Sequence, residues 1–232
     1  MRDALSVESR VMEGRVGAFS GSLTYRQYSV RDALPDDHLA LFQNGIERNV
    51  FHPLDPSKDQ DRAIGWCDPR FAMDLALDSG TYVYTDYIVL AIRVDAWAIP
   101  ATTLKLYTEA EVQRVMAEQK RESLSRYEHA EAKERVIMEL RRRILPTIKV
   151  IDMVWNLEQG VVRFFSSSQR MNVDFMDLFE STFGLSLMPY GAYAAAHSQH
   201  VGLIELERER LEVVEPSIFV ESDLNSQITR EV

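Results

Sequence analysis

The sequence predicts an α+β protein, an antiparallel-sheet body with an antiparallel helical-hairpin arm inserted into it. Three observations carry this. Runs rich in β-branched and aromatic residues occur at 22–28, 81–94, 148–155 and 161–165, each bounded by turn residues. Between the second and third of these lies a charged stretch with helical spacing, bracketed by Pro100 and Pro146. The strands therefore come in groups with helices set among them, rather than alternating one for one as in a parallel sheet.

Each element can be justified in turn. Residues 1–20 read as a polar, flexible lead-in. The body comprises 21–104 together with 147–190. Its first strand alternates over 22–28, and a turn at 32–37 holding Pro35 starts a helix. In that helix Leu39, Phe42, Ile46 and Val50 fall at i, i+3, i+7 and i+11, which makes one apolar face. Residues 53–61 read as loop, Ile64-Gly65-Trp66 as a short edge strand, and Asp78-Ser79-Gly80 as a turn. Residues 81–94 read as two strands or one bent strand. The arm, 105–146, opens on Thr108-Glu109-Ala110-Glu111, the pattern of a capping box. Its first helix is expected to run to about Ser125. The second, from about Glu128, places Val136, Ile137, Leu140 and Ile144 on one face and stops at Pro146. The residues 156–160 between two strand runs signal a hairpin. After Ser166-Ser167-Ser168, a helix carries Met171, Phe175, Leu178, Phe179 and Thr182 on one side, with Gly184 as its C-cap. Residues 185–188 read as a closing strand, and 191–232 as an acidic C-terminal segment.

Charge is divided unevenly. The chain of 232 residues carries a formal −10, yet from Lys105 to Lys149 eleven cationic residues outnumber eight anionic ones. That stretch, 105–149, is +3 and the remainder −13, a split that suits a partner meeting the arm and avoiding the body. With Cys67 as the single cysteine, an intramolecular disulfide and a cysteine-built zinc site are excluded. No apolar run approaches the ~20 residues that span a bilayer, and no signal peptide is read at the N-terminus. The expectation is a cytoplasmic chain without a membrane partner.

The ordered features resemble the RdgC family of bacterial recombination-associated proteins over about 21–190. The resemblance rests on the N-terminal strand and helix, Gly65-Trp66, and the β run into Ile99-Pro100. It continues through the charged helical stretch, Ile144-Leu145-Pro146, Met153-Val154-Trp155, Gly160, the Phe-rich helix and Leu187-Met188-Pro189. It implies a non-enzymatic, sequence-independent DNA-binding protein of RdgC type, a homodimer that encloses duplex DNA and restrains the RecA recombinase, with nucleoid localisation. It also implies that the arm is a tip-like domain. The chain departs from the family in stopping near where a base domain would begin, with 191–232 in its place. It also lacks aromatics after the Leu-Pro, where Thr147, Ile148 and Lys149 stand, and it is acidic overall.

The residues expected to meet phosphates are Lys120, Arg121, Arg126, Lys133, Arg135, Arg141, Arg142, Arg143 and Lys149, since cation–phosphate contacts give affinity without sequence readout. Arg141, Arg142 and Arg143 spread over ~200° of helix, and the competing reading has them cap the helix and pair with Glu134 and Glu139. No catalytic residue, metal or cofactor is expected. Two metal-based alternatives stand beside this reading: His197 with His200 as ligands, and a metal-dependent nuclease using Asp59, Asp61, Asp68, Asp74, Asp174 or Asp177. Phe164, Phe165, Phe175, Phe179 and Phe183 fit a core better than base-stacking platforms, as do Trp66, Trp97 and Trp155. A second function class is a protein-interaction module working through the arm or the acidic stretch 205–215.

Overall fold

The computed structural model describes residues 18, 24–30, 32–35, 37–191 and 210. The chain divides after Pro189 into two units. Among its described residues the first unit is an α+β architecture of seven antiparallel strands and five helices. The strands are β1 (Arg26–Val30), β2 (Arg62–Cys67), β3 (Val83–Tyr84), β4 (Tyr87–Ala96), β5 (Thr147–Asn156), β6 (Val161–Phe164) and β7 (Leu187–Pro189). The helices are α1 (His38–Arg48), α2 (Ser79–Tyr82), α3 (Ala101–Gln119), α4 (Arg126–Arg141) and α5 (Gln169–Phe183). The sheet order is β2-β4-β5-β6-β1-β7, with β3 beside β2 on the same flank of β4.

Strand alternation sorts the sheet into two faces. Ile88, Leu90, Ile92 and Val94 of β4, Met153 and Trp155 of β5, and Val162 and Phe164 of β6 point to one face. There α5 supplies Met171, Phe175, Leu178, Phe179 and Phe183, and α1 supplies Phe42 and Ile46. Phe164 stacks on Phe175 at 4.2 Å, and Trp155 meets Phe179 edge-on at 5.1 Å. The aromatics are thus consumed by the core. Two polar groups inside it are matched: Trp66 donates to Thr182 Oγ1 (2.8 Å), and Tyr28 donates to Asn172 Oδ1 (2.6 Å), while Trp155 Nε1 is buried there without a partner among the described residues. Leu39 departs from the expected α1 face and is 44% exposed. Gly45 occupies the contact instead, because a Cβ there would lie 1.9 Å from the carbonyl oxygen of Thr182 in α5. On the other face the β4 residues Arg93 and Asp95 form a buried ion pair (2.7 Å), with the Arg93 guanidinium 4.3 Å above the Phe51 ring.

The hairpin at 156–160 forms as expected: Asn156 Oδ1 accepts from the Gln159 amide (2.8 Å), and Gly160 takes φ +61°. Gly184 caps α5 in the left-handed region. The β1 strand runs later than read, and positions 22 and 23 lie outside the described residues. The turn read at 78–80 is instead the start of α2, with Asp78 as N-cap.

Both helices α3 and α4 are inserted between β4 and β5, which pair directly from Tyr87–Asn156 to Ala96–Thr147. The chain therefore leaves and re-enters the sheet at one place, as it would through a hairpin turn, and the insertion leaves the strand order untouched. The helices lie antiparallel: Arg135 of α4 reaches Glu111 of α3 (3.1 Å), while at the turn Arg121 meets Glu128 (2.5 Å). Few apolar residues are buried along the pair: Val112 in α3, and Ala132, Val136 and Leu140 in α4. The capping box is not at Thr108. That residue sits inside α3, which starts seven residues earlier, and its hydroxyl bonds back to the Leu104 carbonyl (2.7 Å). The α3 helix ends at Gln119, short of Ser125, with Lys120 in the left-handed region as its cap. The capping box lies at Ser125-Arg126-Tyr127-Glu128, where both reciprocal bonds are made.

Candidate nucleic-acid interface

The nine cations expected to meet phosphates meet different fates. Arg141 is withdrawn from any surface: its side chain is 4% exposed, paired with Asp61, 3.8 Å from Asp59, and bonded to the Lys58 carbonyl (3.2 Å). The reason is tertiary. The end of α4 lies against the loop preceding β2, so Arg141 clamps the helical pair to the sheet. Arg121 is held by Glu128, Arg135 by Glu111 and Arg143 by Glu139. Arg143 thus follows the i, i+4 pairing the sequence allowed, whereas Arg142 next to it does not. For Lys120, Arg126, Lys133, Arg142 and Lys149, no carboxylate lies at ion-pair distance among the described residues, and all five are exposed. Arg126 and Lys133 share one stripe of α4, seven residues or ~10 Å apart.

These ion pairs shift the groups they join. Arg121, together with the Ser125 amide and hydroxyl, holds the Glu128 carboxyl down at about 2. Arg114 and then Arg135 hold Glu111 below the usual carboxylate range, against the opposing effect of burial. Glu111 thereby ties two helices and two arginines together.

Beside the helical pair a cleft of about 520 Å³ opens where three segments meet. The first is the end of the sheet with Asp61, Arg62, Val94 and Lys149. The second is the base of the helices with Trp97, Leu104, Ile137 and Arg141, and the third is the start of α5 with Ser168 and Arg170. Lys149 enters because it sits opposite Val94 in the β4–β5 register, on the helix-bearing face. Four cations and one carboxylate line the cleft. Arg62 is engaged by Asp174 (2.6 Å), and Arg141 by Asp61. Sequence alone groups Trp97 in the core with Trp66 and Trp155. Those two are fully buried, whereas Trp97 is only partly covered. Neither Arg170 nor Trp97 carries a spacing signal that marks it.

Five of the six acids that could have served nuclease chemistry have structural partners, and the sixth, Asp177, is exposed on α5. Asp59 and Asp61 face Arg141, and Asp174 holds Arg62. Asp68 accepts from the amides of Arg70 (2.6 Å) and Phe71 (3.1 Å), and Asp74 from that of Ala76 (2.9 Å). Among the described residues no three His, Cys, Asp or Glu side chains are grouped so as to hold a metal ion. His197 and His200 lie outside the described residues. No helix among the described residues is long and apolar enough to cross a membrane.

Comparison with known proteins agrees with the architecture. No curated protein matches the chain. The family described as "Putative exonuclease, RdgC" matches residues 26–200, which takes in the whole sheet, both inserted helices and α5. The chain belongs to the RdgC family.

Proposed function

We propose that the chain binds duplex DNA without sequence preference, through the exposed cations of the helical pair and the adjoining strand, as a non-enzymatic homodimer. The observation that supports this is the selective pairing. Arg121, Arg135, Arg141 and Arg143 are engaged by carboxylates, while Lys120, Arg126, Lys133, Arg142 and Lys149 remain open on a chain that is otherwise acidic. Cations that gain no internal partner are the ones able to displace counterions from a phosphate backbone. By analogy with the family, occupancy of the duplex would restrain RecA-dependent recombination, and the protein would be nucleoid-associated.

A second reading has an observation of its own. The helical pair also exposes Leu106 (59%), Tyr107 (46%) and Tyr127 (73%), which favours a protein contact through the same helices. One experiment separates the two: titration of labelled duplex DNA with wild type and Arg126→Glu/Lys133→Glu, with mass in solution measured alongside. DNA binding lost in the variant supports the first reading. Oligomerisation without DNA affinity supports the second.

A further inference from the structure

We propose that the cleft at the base of the helical pair binds a nucleotide: a phosphate monoester held by the cations, with its aromatic base against the apolar wall. The site is separable from the DNA-binding reading: Lys149 belongs to both, but Arg126 and Lys133, whose reversal tests DNA binding, lie outside the cleft.

Donors without acceptors mark the place. Among the described residues four buried side-chain polar atoms have no hydrogen-bond partner, and two of them, Trp97 Nε1 and Arg141 Nε, belong to residues that line this cleft. A buried donor left unmatched is costly. Here both orphans can only donate, so what is lacking is an acceptor. Of the other two, Trp155 Nε1 belongs to a side chain in the core and Ser29 Oγ to one on β1.

The remaining polar lining has the same sign. Lys149 and Arg170 are exposed cations with no carboxylate partner among the described residues. The first amides of α5 point the positive end of a fifteen-residue helix at the same place, with Ser168 as its cap. The single lining carboxylate, Asp61, is already engaged by Arg141. An ammonium, a second guanidinium, an indole N–H and a helix start together suit a multiply charged acceptor better than one carboxylate.

Size and the apolar wall identify the rest of the ligand. The volume of about 520 Å³ falls in the range of small-molecule sites. It exceeds what one inorganic anion fills. Ile99, Leu104, Ile137 and Met171 join Trp97 in the lining, which gives a flat aromatic body an apolar surface beside the anion.

Isothermal titration of the full chain tests this with 5′-deoxyadenylate, deoxyadenosine and inorganic phosphate as probes. The expected result is saturable binding of the nucleotide, with the nucleoside and phosphate each weaker. Lys149→Gln and Arg170→Gln, both exposed and neutral to folding, should each weaken nucleotide binding by about tenfold. Trp97→Phe, which keeps a ring and deletes the donor, should weaken it less. A duplex with and without a 5′-phosphate distinguishes the source. Tighter binding of the phosphorylated end, abolished in Arg170→Gln, assigns the site to strand termini, and equal binding assigns it to free nucleotides. No saturation by about 10 mM nucleotide, or saturation indifferent to both glutamine variants, overturns the proposal. Neither result bears on the Arg126 and Lys133 surface, whose failure is read by its own charge-reversal variant.

Discussion

Removing the two ends of the Arg141–Asp61 pair should have opposite weight to what their names suggest. Arg141 is 4% exposed, but Asp61 and Asp59 are 84% and 86% exposed. Arg141→Met deletes the desolvated charge itself and returns two carboxylates to water, where they need no partner. Methionine also fills most of the vacated volume. What is lost is one charged contact and the Lys58 carbonyl bond, and the net cost should be about 0.5 kcal/mol. Asp61→Ala leaves the guanidinium buried, with Asp59 at 3.8 Å and the Lys58 carbonyl as its remaining partners. A buried charge deprived of its main partner costs about 3–5 kcal/mol when nothing replaces it. Partial replacement by Asp59 brings this to about 2 kcal/mol. The two variants should thus differ by about 1.5 kcal/mol, or about 4 °C in Tm for a chain of this size. Urea denaturation followed by circular dichroism reads the difference directly. If Arg141→Met is as destabilising as Asp61→Ala, the clamp is not a buried charge held by an exposed partner and the reasoning fails.

Other substitutions probe other joints. Gly45→Ala should destabilise by about 3 kcal/mol, although alanine favours a helix by about 1 kcal/mol, because its methyl meets a backbone carbonyl of α5. A stabilised variant in thermal melts would refute that close approach. Lys120→Gly should stabilise by about 1 kcal/mol, since Lys120 holds φ 55° at the α3 cap, while lowering the salt slope of DNA binding by about one counterion per protomer. A loss of stability on chemical denaturation would contradict the first half of that statement. The Glu128 carboxyl is held down to about 2, against a usual value near 4.3, so its contribution is fully present above the latter. It is lost as pH falls from there through about 2. The stability difference between wild type and Glu128→Gln should therefore shrink over that interval, and a difference independent of pH would show that the Arg121 contact is absent.

Sequence periodicity made much of the body legible. The spacing of Met171, Phe175, Leu178 and Phe179 sufficed for α5 because its buried face is wide, and Gly160 and Gly184 marked turns that need positive φ. The start of α3 was illegible for a local reason. Pro100 stands at its cap without a side-chain bond, and the Thr108–Glu111 pattern imitates a capping box within the helix. Its apolar face is too narrow to correct the error, with Val112 alone buried. For the arginine run, composition gave three equivalent charges. Their separation into a clamp, an open cation and an i, i+4 pair depends on Asp61, eighty positions upstream. The cleft is hidden for the same reason, being assembled from segments around Asp61, Trp97, Ile137, Lys149 and Ser168 that meet only in three dimensions.

The most direct test of DNA binding by the open cations is the salt dependence of duplex affinity for wild type and Arg126→Glu/Lys133→Glu. Five open cations per protomer, ten in the homodimer, set a ceiling of about 9 on the slope of log affinity against log salt. Binding through these cations predicts a wild-type slope that stays below that value and a variant slope smaller by about 4, with no dependence on sequence. An absence of binding at about 50 mM salt, or a slope indifferent to the two reversals, would contradict it.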